Sequence, residues 1–515
     1  MLKPITRRRT SFAALATLVV VSPLTACSVG GSSDSGGGGD TVRIVLPEEP
    51  PTLEPCESSL TSTGVVVRSN ITEPLVERDP TSGDLNPLLA TAWEQTSEDT
   101  WTFTLRDDVT FSDGTPFDAE AAKFSIDRAV NSDLGCNVEG YVFGDTDLVL
   151  EAPDATTLTV TTPKPDPILP LRISFVEIVP PSTSTTEKVR EPIGTGPYKI
   201  DSWDAGQKLT LAANDSYWGD APAYQGATYV WRSEGSVRAA MVTNDEADIA
   251  TGLGPDDGAG DNSVEYPNNE TTAIRMQVEA PPLDDLRVRQ AINYAIDRQG
   301  ITESLFGDIS VVASQLVHEG IVGHDDDLAP WPYDPDKAAA LLAEAKADGV
   351  DLSPEIRLIG RTAQFPKIEE TVQVVQKELS DLGLNVKIEM TDTAGTVEVQ
   401  QRPFPADAGP YLLVIQHGNQ AGDAAFSLDQ YLLSNGFQSS GGSPELDDLI
   451  TTAEAETGDA RQAGLAKVFD EEPTMVGQYA YLAHMNGVLG VAPGVSYTPD
   501  SATGDEMHLA DMSPK

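Results

Sequence analysis

EPLVERDPTSGDLNPLLATAWEQTSEDTWTFTLRDDVTFSDGTPFDAEAAKFSIDRA, residues 73–129, packs a strand, a turn and a helix into one continuous stretch. Trp101, Phe103 and Leu105 alternate with polar residues, the period of a half-buried strand. Asp113-Gly114 is a turn pair, because glycine tolerates positive φ and aspartate bonds its own backbone. Asp118 then stands where a helix N-cap belongs, and Ala121 and Phe124 face a core behind it.

The same grammar extends in both directions. Upstream, TVRIVLP (41–47) alternates Val42, Ile44 and Leu46 and predicts a strand, which the four prolines of PEEPPTLEP end. Downstream, IGTGPYKIDSW (193–203) reads as a Gly-rich turn entering a strand. LDDLRVRQAINYAIDR (283–298) sets Val288, Ala291, Ile292, Ala295 and Ile296 on one helical face, with Asp284 or Asp285 as cap. YDPDKAAALLAEAKADG (333–349) has Asp334 as cap, Pro335 at the first helical position and Gly349 just past the end. FPKIEETVQVVQKELSDLG (365–383) is a helix closed by Gly383, and LNVKIEM follows with Leu384, Val386 and Ile388 on one face. With a strand at 355–359 these make a βαβ unit. SPELDDLITTAEAE (443–456) opens a last helical pair. Helices and strands alternate throughout, so the fold class is mixed α/β.

The N-terminus reads as an export signal. Arg7, Arg8 and Arg9 precede an apolar run from Phe12 to Val21, about half the ~20 residues a spanning helix needs. LTAC (24–27) resembles the lipobox of bacterial lipoproteins, in which the cysteine, here Cys27, is lipidated and becomes the first mature residue. Gly30 to Gly39 is glycine, serine and one aspartate, so residues 27–40 form a flexible tether with an r.m.s. span of ~20 Å. The expected location is the outer face of the cell membrane, held through the lipid alone.

The chain has 81 Asp+Glu against 33 Lys+Arg, a formal charge of −48. There is no basic footprint for nucleic acid, and adsorption to an anionic membrane is disfavoured. The 515 residues exceed a single core, so two or three domains are expected. With Cys27 assigned to lipid, Cys56 and Cys136 remain, and an exported chain permits them one disulfide. Catalytic and cofactor motifs are missing: no HExxH, no CxxC, no phosphate loop and no nucleophile elbow. HDDDLAP (324–330) offers carboxylates and one imidazole, but three adjacent acids ordinarily solvate a loop. No cofactor, no metal and no enzymatic activity are expected.

Residues 73–129, PIGTGPYKIDSW…NDSYWGDAP, PPLDDLRVRQAINYAIDR, YDPDKAAALLAEA and SPELDDLITTAEAE resemble, in order, the blocks of family 5 extracellular solute-binding proteins, the peptide and nickel binders of ABC importers. The resemblance implies a two-lobed periplasmic-binding-protein-like fold in three domains with a hinge between the lobes. Domain I would be discontinuous (41–74, 190–275 and 480–515), domain II would be 75–189 and domain III 276–479. It implies a monomeric, lipid-anchored binder of an oligopeptide-like solute, serving permease subunits and their ATPases. A glycoside, opine or metal chelate is the alternative cargo, and an exported lipoprotein hydrolase the alternative class.

Four stretches are expected around the solute. CESSLTSTG (56–64) supplies Ser59, Thr61 and Ser62. Gln277 takes the place of the family's usual asparagine. IGRTAQF (359–365) offers Arg361 and Thr362. IQHGNQAGDAAFSLDQYL (415–432) resembles the segment where peptide binders carry a Gly-Trp-x-x-Asp-Tyr-Pro-Asp-like motif, whose first Asp pairs with the peptide amine. His417 falls at its Trp position and Gln420 at that Asp position, with Asn419 beside them and Asp423 near the second Asp. A neutral amide there leaves a buried ammonium poorly compensated, so either Asp423 or another acid holds an amine, or the solute is not a peptide with a free N-terminus.

Overall fold

A computed structural model describes residues 40–79, 82–144, 146–306, 310–499 and 506–515, and Asp40–Lys515 forms one compact unit. Cys27 and the stretches expected to form an export signal and a tether lie outside the described residues, except for Asp40.

One sheet of eleven strands organises the molecule. From one edge its order is Val386–Thr391, Ile356–Arg361, Tyr411–Gly418, Ser263–Met276, Tyr479–Val491, Ile249–Ala250, Thr41–Leu46, Gly226–Trp231, Lys208–Ala213 and Tyr198–Asp204. Val311–Val312 adds to Tyr479–Val491 off this path. Ser263–Met276 and Tyr479–Val491, at 14 and 13 residues, pair antiparallel and carry the sheet from one half to the other. Their ladder shifts register at Pro267/Glu270 and at Thr272/Ala273.

Local signals account for the elements. Thr41–Leu46 lies between two parallel neighbours, so Val45 is buried as completely as Val42 and Ile44, and both faces are core. Asp118 caps Ala119–Val130 by accepting from Ala121 N. Asp285, not Asp284, caps Leu286–Ala295. That helix stops one residue before Ile296, which remains buried while Asp297 caps the next short turn, Arg298–Ile301. Asp334 and Pro335 open Pro335–Ala347, and Gly349 follows at φ 95°. Ile356–Arg361, Ile368–Asp381 and Val386–Thr391 form the βαβ unit, with its strands parallel in register. Ile388 departs from expectation. It is 37 % exposed, on the strand Val386–Thr391 at the edge of the sheet. The IGTG turn docks against backbone: a Cβ on Gly194 would lie 2.1 Å from Ile71 O, so only glycine fits there.

A second sheet of four antiparallel strands runs Ala90–Ser97, Thr100–Leu105, Thr157–Thr161 and Val149–Asp154. Phe103, Leu105, Leu158 and Val160 join Ala122 and Ile126 of the helix Ala119–Val130 in its core. Cys56 and Cys136 are disulfide-bonded, with Cα atoms 5.4 Å apart across 80 residues of sequence. The bridge joins the loop after the first strand to the segment beyond Ala119–Val130. Beside it, Glu54 receives a two-pronged salt bridge from Arg128 at 2.7 and 3.0 Å, with both side chains buried.

Candidate solute cavity

Several distant parts of the chain converge on a cavity of about 620 Å³. The loop after Thr41–Leu46 contributes Glu48 and, at the start of the helix Thr61–Val67, Ser59, Thr61 and Ser62. The segment after Cys136 contributes Asn137 and Tyr141. The βαβ unit and its surroundings contribute Arg361, Thr362, Gln400, Gln401, Gln416 and Gln438. Such a volume lies within the range of small-solute sites.

Amides and hydroxyls form part of the wall, beside apolar side chains such as Leu60, Phe306, Phe365 and Met485. Gln400 Nε2 donates to Gln438 Oε1 at 2.5 Å, and Asn137 Nδ2 donates to Ser59 Oγ at 2.8 Å. Arg275 braces this wall from behind. Its guanidinium is fully buried and donates to the carbonyls of Gln400, Gln438 and Val399 at 2.5–2.7 Å. Charged residues line it as well: Arg361 faces Glu48 and Lys367 faces Asp256, each at 3.8 Å, and Arg238 and Glu270 also belong to the lining. Glu506 also lines the cavity. Burial would raise its carboxyl, but Arg68 at 2.8 Å and His508 at 2.7 Å hold it down to about 2.

The expected residues separate into two groups. Ser59, Thr61, Ser62, Arg361 and Thr362 line the cavity. Gln277, His417, Asn419, Gln420 and Asp423 are buried outside that lining. Gln277 follows Ser263–Met276 at its far end, whereas Tyr266, Asn268 and Glu270, toward the near end, reach the cavity. His417 is one residue out of register. Its neighbours Gln416 and Gly418 line the cavity, while His417 faces the other side of the strand. There its Nε2 meets Ser427 Oγ at 2.7 Å, and burial pushes its imidazole down to about 3. Asn419 shapes the turn by donating to Asp423 O and Ser427 Oγ and accepting from Gly422 N. The carbonyl of Gln420 accepts from Arg78. Asp423 caps the helix Ala424–Tyr431 and is gripped by Arg461 at 2.7 and 2.8 Å. Its charge is therefore already matched.

Sequence reading missed Asn137, Tyr141, Gln400, Gln401, Gln416 and Gln438. Asn137 follows a bridged cysteine, which is the one local signal among them. The glutamines carry no motif and meet only in three dimensions.

Compared with known proteins, the fold is that of two-lobed periplasmic binding proteins. The Helicobacter pylori ABC transporter-associated binding protein DppA, solved in complex with the peptide STSA, superposes with a TM-score of 0.82 at 19 % identity, covering 92 % of this chain and 98 % of that one. The binding protein AgaA from A. tumefaciens R10, solved with agropinic acid, gives 0.81 at 22 % identity, covering 92 % and 99 %. Residues 84–439 match the family described as bacterial extracellular solute-binding proteins, family 5 Middle, and the chain belongs to that family. Among curated relatives, the glutathione-binding protein GsiB of Salmonella paratyphi A is 27 % identical over 348 residues, 65 % of this chain and 66 % of the relative. The dipeptide-binding protein of Escherichia coli K12 is 29 % identical over 350 residues, 61 % of this chain and 65 % of the relative. The matches thus span just under two thirds of those relatives' length.

Proposed function

We propose that this chain is the substrate-binding lipoprotein of an ABC importer, capturing an oligopeptide-like solute between its lobes and delivering it to permease subunits driven by their ATPases. Its role is binding, without catalysis. The carrying observation is the cavity, where amides and hydroxyls from distant parts of the chain face one space beside apolar and charged side chains. Peptide groups present the complementary donors and acceptors. The proposed domains are 41–74, 190–275 and 480–515 for the first, 75–189 for the second and 276–479 for the third. Ser263–Met276 and Tyr479–Val491 cross between the first and third, so hinge motion near 270–280 and 480 would open and close the site.

Thermal shift and calorimetry with Ser-Thr-Ser-Ala, Ala-Ala, glutathione, agropinic acid and a nickel–histidine complex test the reading. A peptide or glutathione is expected to raise the midpoint and bind one to one. Binding of agropinic acid or the nickel complex alone would favour the non-peptide alternative, and turnover of any probe would point to a hydrolase. Because Asp423 is held by Arg461, acetylating a bound peptide's amine is expected to change affinity by less than about tenfold. A loss near the ~3–5 kcal/mol of a broken buried charge pair would contradict this.

The proposed anchor is an acyl chain on Cys27, supported by the lipobox-like LTAC at 24–27; no described helix is long and apolar enough to cross a membrane. Cys27→Ser is expected to move the protein from the membrane fraction to the soluble exported fraction, as stable anchoring needs lipid chains worth ~0.8 kcal/mol per buried CH₂. Unchanged partitioning on fractionation would refute lipidation.

A further inference from the structure

Asn137 stands beside the Cys56–Cys136 bridge, which holds its segment against the hydroxyl loop. Both ends of its amide are used there. Nδ2 donates to Ser59 Oγ at 2.8 Å, and Oδ1 accepts from Gln401 Nε2 at 3.1 Å. These partners lie 78 and 264 residues away in sequence, on opposite sides of Asn137. The relay therefore ties the loop after the first strand, the segment after Cys136 and the end of the helix Thr393–Gln400. All three residues line the cavity, and Asn137 is only half-buried. The segment after Cys136 also meets another part of the chain: a Cβ on Gly140 would fall 2.5 Å from the Phe437 ring, and Tyr141 packs edge-on to Phe426 at 5.4 Å.

A side-chain amide has two N–H donors and two carbonyl lone pairs. Each end of Asn137 keeps one after the relay is made. We propose that Asn137 is a solute-positioning residue: it clasps the three segments around the closed cavity and turns its remaining N–H and lone pair toward neutral amide or hydroxyl groups of the solute. This assignment rests on the reading of the cavity as the solute site.

The test has a ligand-free arm and a ligand arm. Small-angle X-ray scattering of the ligand-free full chain reports the balance of closed and open forms. Asn137→Ala is expected to lower the closed-to-open ratio roughly tenfold, the scale of one or two lost hydrogen bonds at a partly desolvated site. Gln401→Ala should do the same, and the double variant should add little, because both break one relay. With Ser-Thr-Ser-Ala and glutathione as probes, Asn137→Ala should weaken binding by a similar factor through faster dissociation, while the thermal midpoint of the unliganded protein stays close to wild type. In a Cys56→Ser/Cys136→Ser background the Asn137→Ala effect should shrink, since the bridge no longer holds the segment in place. Unchanged scattering and unchanged probe affinity would overturn the assignment, as would a lowered midpoint with normal affinity, which marks a structural residue only. If neither probe binds wild type, the solute reading fails, and the scattering arm alone decides the clasp.

Discussion

Arg461→Ala is expected to destabilise the fold by about 3–5 kcal/mol, because it strands Asp423 without its cation. Arg461 and Asp423 are 6 % and 4 % exposed and meet through two hydrogen bonds at 2.7 and 2.8 Å. Arg461 also donates to the carbonyl of Glu454, joining the last two helices, Pro444–Ala455 and Gly458–Met475. Asp423 meanwhile caps Ala424–Tyr431. Losing the cation therefore disturbs three helices at once. Denaturant unfolding should show the midpoint fall for Arg461→Ala, and Asp423→Asn should also destabilise. Replacing both by apolar residues of similar size should recover much of the loss, because paired removal leaves no lone buried charge. A stable Asp423→Asn protein that had lost several kcal/mol of affinity for free-amine peptides would return Asp423 to the solute site.

Stability should also fall by about 3–5 kcal/mol as pH rises from about 6.5 to 8.5. Burial raises Glu73, Glu77, Glu378 and Glu472 to about 7 and Glu177 to about 8. In the unfolded chain these groups ionise near pH 4.3, so between that value and the folded value the native state binds more protons. A carboxyl raised on folding favours the native state below its folded value and loses that contribution as pH climbs through it. His508 adds in the same direction. Burial alone would lower it, but its contacts with Asp511 and Glu506 outweigh burial and raise it well above an ordinary imidazole. Below about 6.5 the sign reverses for other groups. His417 and His484 are pushed down to about 3 by burial, so the unfolded chain takes up protons that the native state refuses. Two imidazoles offset only part of what five carboxyls contribute, so stability is expected to go on rising, less steeply, as pH falls from 6.5 toward about 5. Unfolding midpoints across pH 5–9 check this, with Glu177→Gln flattening the alkaline limb. A midpoint that rises between pH 6.5 and 8.5 would contradict the assignment.

Residues that specify their own local backbone were legible without coordinates. Asp118, Asp285 and Asp334 mark helix starts because a short carboxylate bonds the first free N–H groups, a contact made within three residues. The βαβ unit was legible for the same reason, as its periodicity and Gly383 belong to one short stretch. Ser59, Thr61, Ser62, Arg361 and Thr362 could be placed because they follow strand ends, and strand ends were readable. His417 was misplaced by a single residue, and in a strand one residue exchanges the faces. Gln277, named from the resemblance alone, follows a strand whose 14-residue length no local pattern announced, at the end away from the cavity. Asp423 looked available because its partner is 38 residues away, on another helix. The amide wall needed the tertiary structure most. Asn137, Gln400, Gln401 and Gln438 are ordinary polar residues along the chain, and they become a surface only where the disulfide, Arg275 and the long paired strands bring their segments together.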